Sequence, residues 1–227
     1  MVNAMLWQAK TGGQWRMLPS SFPPWGSVWQ QFRRWRDAGV WTDAMTVLRR
    51  EVRVRSGRDP EPSLVILDAQ QARTGRQGPS FHDVGGVGRG RVQRGSKRSL
   101  LVDVLGLPIA VHVTSSRPHD STAGRELLDE VLPNLPRVEV VVADRGYRGL
   151  AHHVAARHGR CFEVRHWDAK PVGFKPIAQV WRVEDCFAQL SRWRRLSRSF
   201  EGTAASAATW CQVAAVGLLF GRLAGLE

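Results

Sequence analysis

Cysteine is scarce in this sequence. Only three cysteines occur among 227 residues, Cys161, Cys186 and Cys211, and no two of them form a CxxC pair. Such an odd and dispersed set excludes a disulfide-framed scaffold and gives no support to a zinc finger, so a reducing cytoplasm is the expected compartment. The sequence also opens without the charged and then apolar leader that directs secretion, and secretion is therefore not expected.

Negative charge is also in short supply. The 20 acidic residues are outnumbered by 33 lysines and arginines, which leaves a formal net charge of +13. An excess of this size favours nucleic acid or another anionic surface as a partner, through long-range attraction and counterion release. The length of 227 residues is sufficient for one domain of roughly 150 residues and a small appendage.

One long apolar run lies near the C-terminus, from residue 203 to residue 220, and its length approaches that of a membrane span. The run contains Ser206 and Gln212, is rich in alanine and soon reaches Arg222. These polar interruptions favour a packed core helix within residues 203–227 over the alternative, a membrane anchor. A membrane is therefore not expected among the partners.

The segment 1–58 holds six of the ten tryptophans, and it carries Lys10 and nine arginines against three acidic residues. The stretch SSFPPWGSVWQQFRRWRDAGVW predicts a serine-capped, proline-opened helix over residues 25–38, which Gly39 ends. Its large apolar side chains share one face, and the other faces carry three arginines, Arg33, Arg34 and Arg36.

Two interpretations of this first segment stay open. One is a small helical bundle with a solvated basic face, and the other is a helix-turn-helix-like DNA reader. Residues 1–10 have the pattern of the middle of an apolar helix, with no capping residue before them. A preceding piece is therefore expected to be missing.

The segment 59–202 has a different pattern, which begins after a turn or linker at SGRDPEP (56–62). Apolar runs and helical periodicities follow in the order strand, hairpin of two strands, helix, strand, helix, strand, helix. This order predicts an α/β domain with a mixed five-stranded sheet flanked by helices.

A Gly/Arg-rich loop is predicted at residues 73–98, after the first strand of this domain. It has seven glycines and a net charge of +6, which is too much glycine for regular structure and enough length to suggest function or disorder. It lacks the lysine and Ser/Thr ending of a phosphate-binding P-loop.

Three carboxylates stand out by position. Asp68 ends the first strand, Asp144 ends the fourth, and Glu184 lies in the first turn of the last long helix of the domain. If the two strands are neighbours, their ends bring Asp68 and Asp144 together, and a helix packed across that edge can present Glu184. Each residue alone has an ordinary explanation, as a turn former or as an acid that complements a helix dipole.

Converging carboxylates need a cation to remain ionised together. Oxygen ligands select Mg²⁺ or Mn²⁺ rather than zinc, and two such ions about 4 Å apart serve in-line displacement at phosphorus. Helical spacing places Arg192 and Arg195 beyond Glu184, where they either contact phosphates or form a solvated basic face. Arg145 adds positive charge next to Asp144.

Two other groups of reactive side chains give weaker indications. Cys186 lies in mid-helix with no context that would activate it as a nucleophile. A histidine cluster near Cys161 matches no standard zinc spacing, so no metal site is predicted from it; its members are His152, His153, His158 and His166.

Six stretches resemble the DDE transposases of bacterial insertion sequences, in particular the insertion-sequence-five group. In chain order they are TGGQWRMLP (11–19), FPPWGSVWQQFRRWRDAGVW (22–41), LDAQQART (67–74), GSKRSLLVDVLGLPIAVHVTSS (95–116), VVADRGYRG (141–149) and WRVEDCFAQLSRWRRLSRSFE (181–201). The resemblance covers nearly the whole chain.

The resemblance implies a ribonuclease-H-like catalytic core and phosphoryl transfer on DNA with two Mg²⁺ or Mn²⁺ ions. By motif, the catalytic and metal-binding triad is Asp68, Asp144 in ADRGY, and Glu184 in RVED. Family members use it to hydrolyse the phosphodiester at the ends of the element, after which the freed 3′-hydroxyl attacks target DNA. The candidate DNA-binding residues are Arg33, Arg34, Arg36, Lys97, Arg98, Arg145, Arg192 and Arg195.

The implied partners are the terminal inverted repeats of the element and target DNA, with a homo-oligomer assembled on DNA in a nucleoid-associated, cytoplasmic location. The sequence departs from the family pattern in a shorter N-terminus, a lysine-poor loop, Asp185 directly after Glu184, and Gln179 and Val180 in place of a basic pair. A DNA-binding remnant that cannot cut is the alternative to an active enzyme. A stand-alone nuclease of the same fold is a third possibility.

Overall fold

The computed structural model describes residues 1–74, 95–165 and 179–225, together with the backbone of two short strands between the first two ranges. Strands β1 to β7 are, in chain order, Leu64–Arg73, Gly86–Gly88, Arg91–Gln93, Gly95–Asp103, Pro108–Ser115, Val140–Asp144 and Cys161–Arg165. Helices α1 to α7 are Val2–Thr11, Trp25–Asp37, Val40–Arg55, Asp120–Val131, Ala151–His158, Trp181–Ser191 and Ala204–Ala224.

Five of the strands form one mixed sheet in the order β5-β4-β1-β6-β7, as the sequence predicts. The strand β1 is antiparallel to β4 and parallel to β6, and β6 is parallel to β7. Parallel strands in the interior of a sheet are covered on both faces, which explains why β6 reads as a continuous apolar run up to its final aspartate.

The two faces of the sheet pack against different helices. Because side chains alternate along a strand, Ile66 of β1 and Val142 of β6 face a core that also contains buried residues of α1, α2, α3, α6 and α7. Val65 and Leu67 face the opposite side, where they pack with α4 and α5. The sheet therefore forms the middle of three layers.

Helix α7 runs through the first of these cores. It is long and apolar enough to cross a membrane by length and composition, but half of its apolar stretch is buried inside the protein. It packs against β5, α3 and α1, and Trp210 is fully buried at its centre. Over Ala204–Ala224 the chain therefore forms a helix that packs in the core.

A buried ion pair connects α3 to the sheet. Arg53 of α3 is bonded to Asp103 at the end of β4, and both side chains are almost completely buried. The second carboxylate oxygen of Asp103 accepts hydrogen bonds from the amides of Leu105 and Leu107 in the hairpin turn, both at 2.9 Å. The helical segment therefore shares its core with the sheet.

The predicted serine cap of the helix at residues 25–38 is wrong. Helix α2 begins after Pro24 without a side-chain cap, so no serine caps it. Helix α4 does have a side-chain cap, since the ring nitrogen of His119 accepts a hydrogen bond from the amide of Ser121.

The predicted limits of the glycine-rich loop are also wrong. Strand β1 continues to Arg73, and β4 begins at Gly95, because residues 69–73 and 95–99 pair in antiparallel register. The strands β2 and β3 form a separate two-stranded sheet within the segment. Residues 73 and 95–98 therefore belong to strands.

Candidate active site

Asp68 lies at the point where β1 separates from β6. The last parallel pair joins Leu67 to Ala143, whereas β1 continues alongside β4 for several more residues. Asp68 is therefore inside its strand and not at its end, which corrects the prediction from the sequence. By alternation its side chain shares the face of Ile66, the face on which α6 packs.

Asp144 is the final residue of β6, as predicted. Its Oδ1 atom accepts a hydrogen bond of 2.9 Å from the amide of Gly146, in the 3-10 turn Arg145–Leu150 that follows the strand. This bond fixes the orientation of the carboxylate at the tip of the strand, one position beyond the pair that ends at Ala143. Asp68 and Asp144 therefore occupy equivalent positions on neighbouring strands.

Glu184 lies in the first turn of α6 and is exposed. The neighbouring face of this helix, with Val183, Phe187 and Leu190, is buried in the core, and the helix packs against β1 and β4. This packing sets α6 against the strand that carries Asp68. An acid in a first turn is also favoured by the helix dipole.

The charges of the other two predicted carboxylates act on Asp68. Burial, which contributes most, and the charges of Asp144, Glu184 and Asp120 together raise the pKa of Asp68 to about 7, against an opposing hydrogen bond from the amide of Ala69. The two other predicted residues and a fourth acid, Asp120, thus contribute to the electrostatics of Asp68. Like charges at close range are costly unless a cation or a proton compensates them.

The donor set fits divalent cations of the magnesium type. All the converging groups offer carboxylate oxygens, which are the ligands that Mg²⁺ and Mn²⁺ prefer. Because burial and acidic neighbours raise the pKa of Asp68, a cation bound among these groups would stabilise its ionised form. Asp68, Asp144 and Glu184 would therefore hold such ions.

Comparison with known families decides the classification. The family described as "Transposase DDE domain" matches residues 59–175, and the family described as "Putative transposase of IS4/5 family" matches residues 1–45. The first of these matches covers more than half of the chain. This chain belongs to the IS4/IS5 family of DDE transposases. The family implies a ribonuclease-H-like fold, in agreement with the mixed sheet and its flanking helices.

Two relatives support the same classification. A protein of Burkholderia cepacia named "Putative transposase for insertion sequence element IS402" is 30% identical over 143 residues, which cover 60% of this chain and 64% of the relative. "Uncharacterized protein y4sN" of Sinorhizobium fredii (strain NBRC 101917 / NGR234) is 38% identical over 50 residues, or 22% of this chain and 40% of the relative. The transposase thus spans less than two thirds of either relative. No solved structure matches it.

Two residues near the carboxylates of the transposase were not predicted from the sequence. Asp120 begins α4 and pairs with Lys97 at 2.6 Å. Tyr147 is buried, and burial together with the charges of Asp68, Asp120 and Asp144 raises its pKa. The ADRGY motif contains Tyr147, but nothing in the linear sequence places α4 beside it.

Four of the predicted DNA-binding arginines of the transposase are exposed, namely Arg33, Arg34, Arg145 and Arg192. Arg33 also lies over the ring of Trp29, 4.9 Å from its centroid. Arg36 is partly buried and bonds Asp37 at 2.7 Å and Ser206 of α7 at 3.1 Å. Its guanidinium therefore connects α2 to α7.

Lys97 and Arg98 are buried in β4, so the sequence-based expectation that they line an open loop is wrong. Arg98 donates to the carbonyls of Leu196, at 2.7 Å, and Arg198, at 3.3 Å. Lys97 donates to the carbonyl of Pro118 in addition to its pairing with Asp120. Both cationic side chains therefore form their hydrogen bonds inside the protein.

The predicted alignment of Arg195 with Glu184 is also wrong. Helix α6 ends at Ser191, and the buried Trp193 is extended, so Arg195 does not continue the face of Glu184. Arg195 bonds Glu201 at 2.8 Å and the carbonyl of Gly13 at 3.0 Å. Its guanidinium also lies 4.3 Å from the ring centroid of Trp210, which is an internal, structural position.

Proposed function

We propose that this transposase cleaves DNA strands at the ends of its insertion sequence and joins the freed 3′ ends to target DNA, with Asp68, Asp144 and Glu184 as the catalytic carboxylates. The observation that supports the proposal is the equivalent position of Asp68 and Asp144 on neighbouring strands, where burial and, to a smaller extent, the charges of Asp144 and Glu184 raise the pKa of Asp68 to about 7. An aspartate with a purely structural role does not need acidic neighbours that raise its pKa.

The cations would be two Mg²⁺ or Mn²⁺ ions held by these three carboxylates. Bound there, they would supply the positive charge that activates an attacking oxygen and stabilises a leaving oxygen at phosphorus. The protein itself holds the three carboxylates in position. Asp68 is fixed within a strand, Asp144 by the amide of Gly146, and Glu184 by a helix whose other face is buried.

Exposed arginines are the proposed DNA contacts. Arg145 directly follows Asp144, and Arg192 lies at the end of the helix that carries Glu184, so both can bind phosphates next to the reacting group. Arg33 and Arg34 on α2 are proposed to contact DNA further away. We omit Lys97, Arg98 and Arg195 from this surface because their hydrogen bonds are made inside the protein.

The test uses DNA that carries the terminal repeats of the element, incubated with the full chain and Mg²⁺ or Mn²⁺. We expect strand cleavage with the original protein and none with Asp144→Asn, while both proteins bind the DNA. A pre-cut 3′ end joined to a target would distinguish a transposase from a nuclease. Binding without metal-dependent cleavage by the original protein would identify the alternative, a non-cutting remnant.

A further inference from the structure

A second cluster of ligand-type side chains lies between α4 and α5, away from the catalytic carboxylates. It consists of Asp129, His153 and His158, whose candidate ligand atoms all lie within 4.8 Å of one another. Asp129 is nine residues beyond Asp120 on α4, which at 1.5 Å per residue separates the cluster from the catalytic end of that helix by about 13 Å. It is thus a separate feature of the protein.

The three side chains converge on one atom. The Nε2 atoms of His153 and His158 each lie 2.7 Å from Oδ1 of Asp129. The two imidazole rings are nearly perpendicular, at 75° with centroids 6.0 Å apart, so they approach this oxygen from different directions. His158 is almost buried, and the other two are partly exposed, which leaves an open side toward solvent.

The local charge favours a cation at this position, and the exposed Arg157 already supplies one, with its Nε atom 3.3 Å from Oδ1 of Asp129. Asp129 lies in the last turn of α4, where the negative end of the helix dipole disfavours a carboxylate, and that turn holds no basic residue. His158 lies at the C-terminal end of α5, where the dipole is also negative. The neighbouring imidazoles and Arg157 lower the pKa of Asp129 against the effect of its burial, so the carboxylate is ionised.

We infer that Asp129, His153 and His158 bind a divalent transition-metal ion, with Zn²⁺ as the best match. Two imidazole nitrogens and one carboxylate oxygen are a common protein set for zinc with one open position, and they differ from the all-oxygen set of the catalytic site. A tetrahedral zinc with bonds of about 2.0–2.1 Å separates its ligand atoms by about 3.3 Å. The two 2.7 Å contacts need to open only slightly to accept it.

An ion at this place would fasten α5 to α4. The 3-10 turn that precedes α5 begins directly after Asp144, and its Tyr147 packs against Gly124 of α4 so closely that an added Cβ at Gly124 would lie 2.9 Å from the tyrosine ring. The ion would therefore stabilise the layer that supports the tip of β6. This role concerns stability and does not depend on the proposed DNA chemistry.

The test titrates Zn²⁺, and Co²⁺ as its spectroscopic substitute, into the full chain with excess Mg²⁺ and in an Asp144→Asn background, so that binding to the catalytic carboxylates does not contribute. We expect one ion per chain, visible Co²⁺ absorption typical of a four-coordinate site, and a higher Tm with Zn²⁺ than with EDTA. Asp129→Asn and His153→Ala should each weaken Zn²⁺ binding by at least about 100-fold.

His152→Ala is the matched control, because His152 is exposed on the same helix and should leave the affinity unchanged. If the Asp129 variant folds poorly, the His153 variant and the Zn²⁺-induced change in Tm, measured for each protein against its own EDTA sample, decide the question. Equal Zn²⁺ binding by the original protein, Asp129→Asn and His153→Ala would overturn the inference, as would the absence of any binding by the original protein.

Discussion

Without a bound cation, the carboxyl group of Asp68 retains its proton up to about pH 7, because burial and its acidic neighbours disfavour the charge. The unfolded chain would lose the same proton near the ordinary pKa of 3.8. The folded state therefore binds the proton more tightly between these two pKa values, and folding stability falls as the pH rises from about 4 to about 7.

Asp68→Asn should remove this loss of folding stability. In EDTA at pH 8, we expect the variant to have a higher free energy of unfolding than the original protein, by on the order of 2 kcal/mol after allowance for partial solvent screening. At pH 4 the difference should nearly vanish, since Asp68 is then protonated in the folded state. Urea unfolding at both pH values measures this, with the exposed Asp185→Asn as a control that changes neither. An equal effect of Asp68→Asn at both pH values would contradict the electrostatic account.

At the residue scale, the end of β6 at Asp144 was predictable because an apolar run leads directly to it. The strand position of Asp68 was not, because β1 continues past it in pairing with β4. Asp120 could not be identified, because only the pairing of Lys97 and the packing of α4 bring it near Asp68. The convergence of His153 and His158 also depends on Asp129, which is 24 residues before His153.

At the scale of elements, a contact with α7 determines where α6 ends. The ring of the buried Trp193 lies against Gly217, where an added Cβ would come within 2.3 Å of a ring carbon. This contact holds Trp193 in an extended conformation, and the helical periodicity of the sequence gives no sign of it. The predicted continuation of the helix to Arg195 was wrong for this reason.

Gly217→Ala and Gly221→Ala form a matched pair on α7. We expect Gly217→Ala to lower the free energy of unfolding by about 1–3 kcal/mol, because the new methyl group collides with Trp193. Gly221 has open space around it, so Gly221→Ala should raise stability by about 0.5–1 kcal/mol through helix propensity. Thermal and urea unfolding check both values. Destabilisation of similar size by both substitutions would refute the packing argument.

Arg195→Ala tests the structural role of this arginine. The change leaves Glu201 largely buried without its partner and removes the contact with Trp210, so we expect a loss of about 2–4 kcal/mol in unfolding free energy. Arg194→Ala, an exposed neighbour, should have little effect on stability. Equal stability of the two variants, with weaker DNA binding by Arg195→Ala, would restore the original expectation of a DNA contact.

The whole molecule combines a net charge of +13 with a site made of acids. DNA binding should therefore be strongly salt-dependent, because each phosphate contact releases counterions.

The fold class was predictable from the order of elements and the resemblance, because long periodic segments keep their secondary structure in the packed protein. The arginines that remain free for DNA were not predictable, because their use inside the protein depends on contacts between distant segments.

Arg145→Gln and Arg192→Gln should each weaken DNA binding and reduce the slope of log Kobs against log salt concentration by about 0.9. Arg55→Gln is a suitable control, because its guanidinium bonds Glu51 at 2.9 Å and the carbonyl of Leu223 at 3.1 Å. A salt titration of binding to terminal-repeat DNA measures the slopes. Unchanged slopes in the first two variants would remove Arg145 and Arg192 from the proposed DNA surface.

The most direct test of the central claim compares two neighbouring acids in one helix turn. Glu184 is proposed to hold a catalytic cation, whereas Asp185 accepts a hydrogen bond of 2.8 Å from Gln189 on the solvent side of α6. The measurement is the single-turnover rate of strand cleavage at the terminal repeats with saturating Mg²⁺ or Mn²⁺. The predicted result is a loss of at least about 100-fold for Glu184→Gln and a rate within about twofold of the original for Asp185→Asn. Equal rates for the two variants, or cleavage that continues in EDTA, would contradict the account.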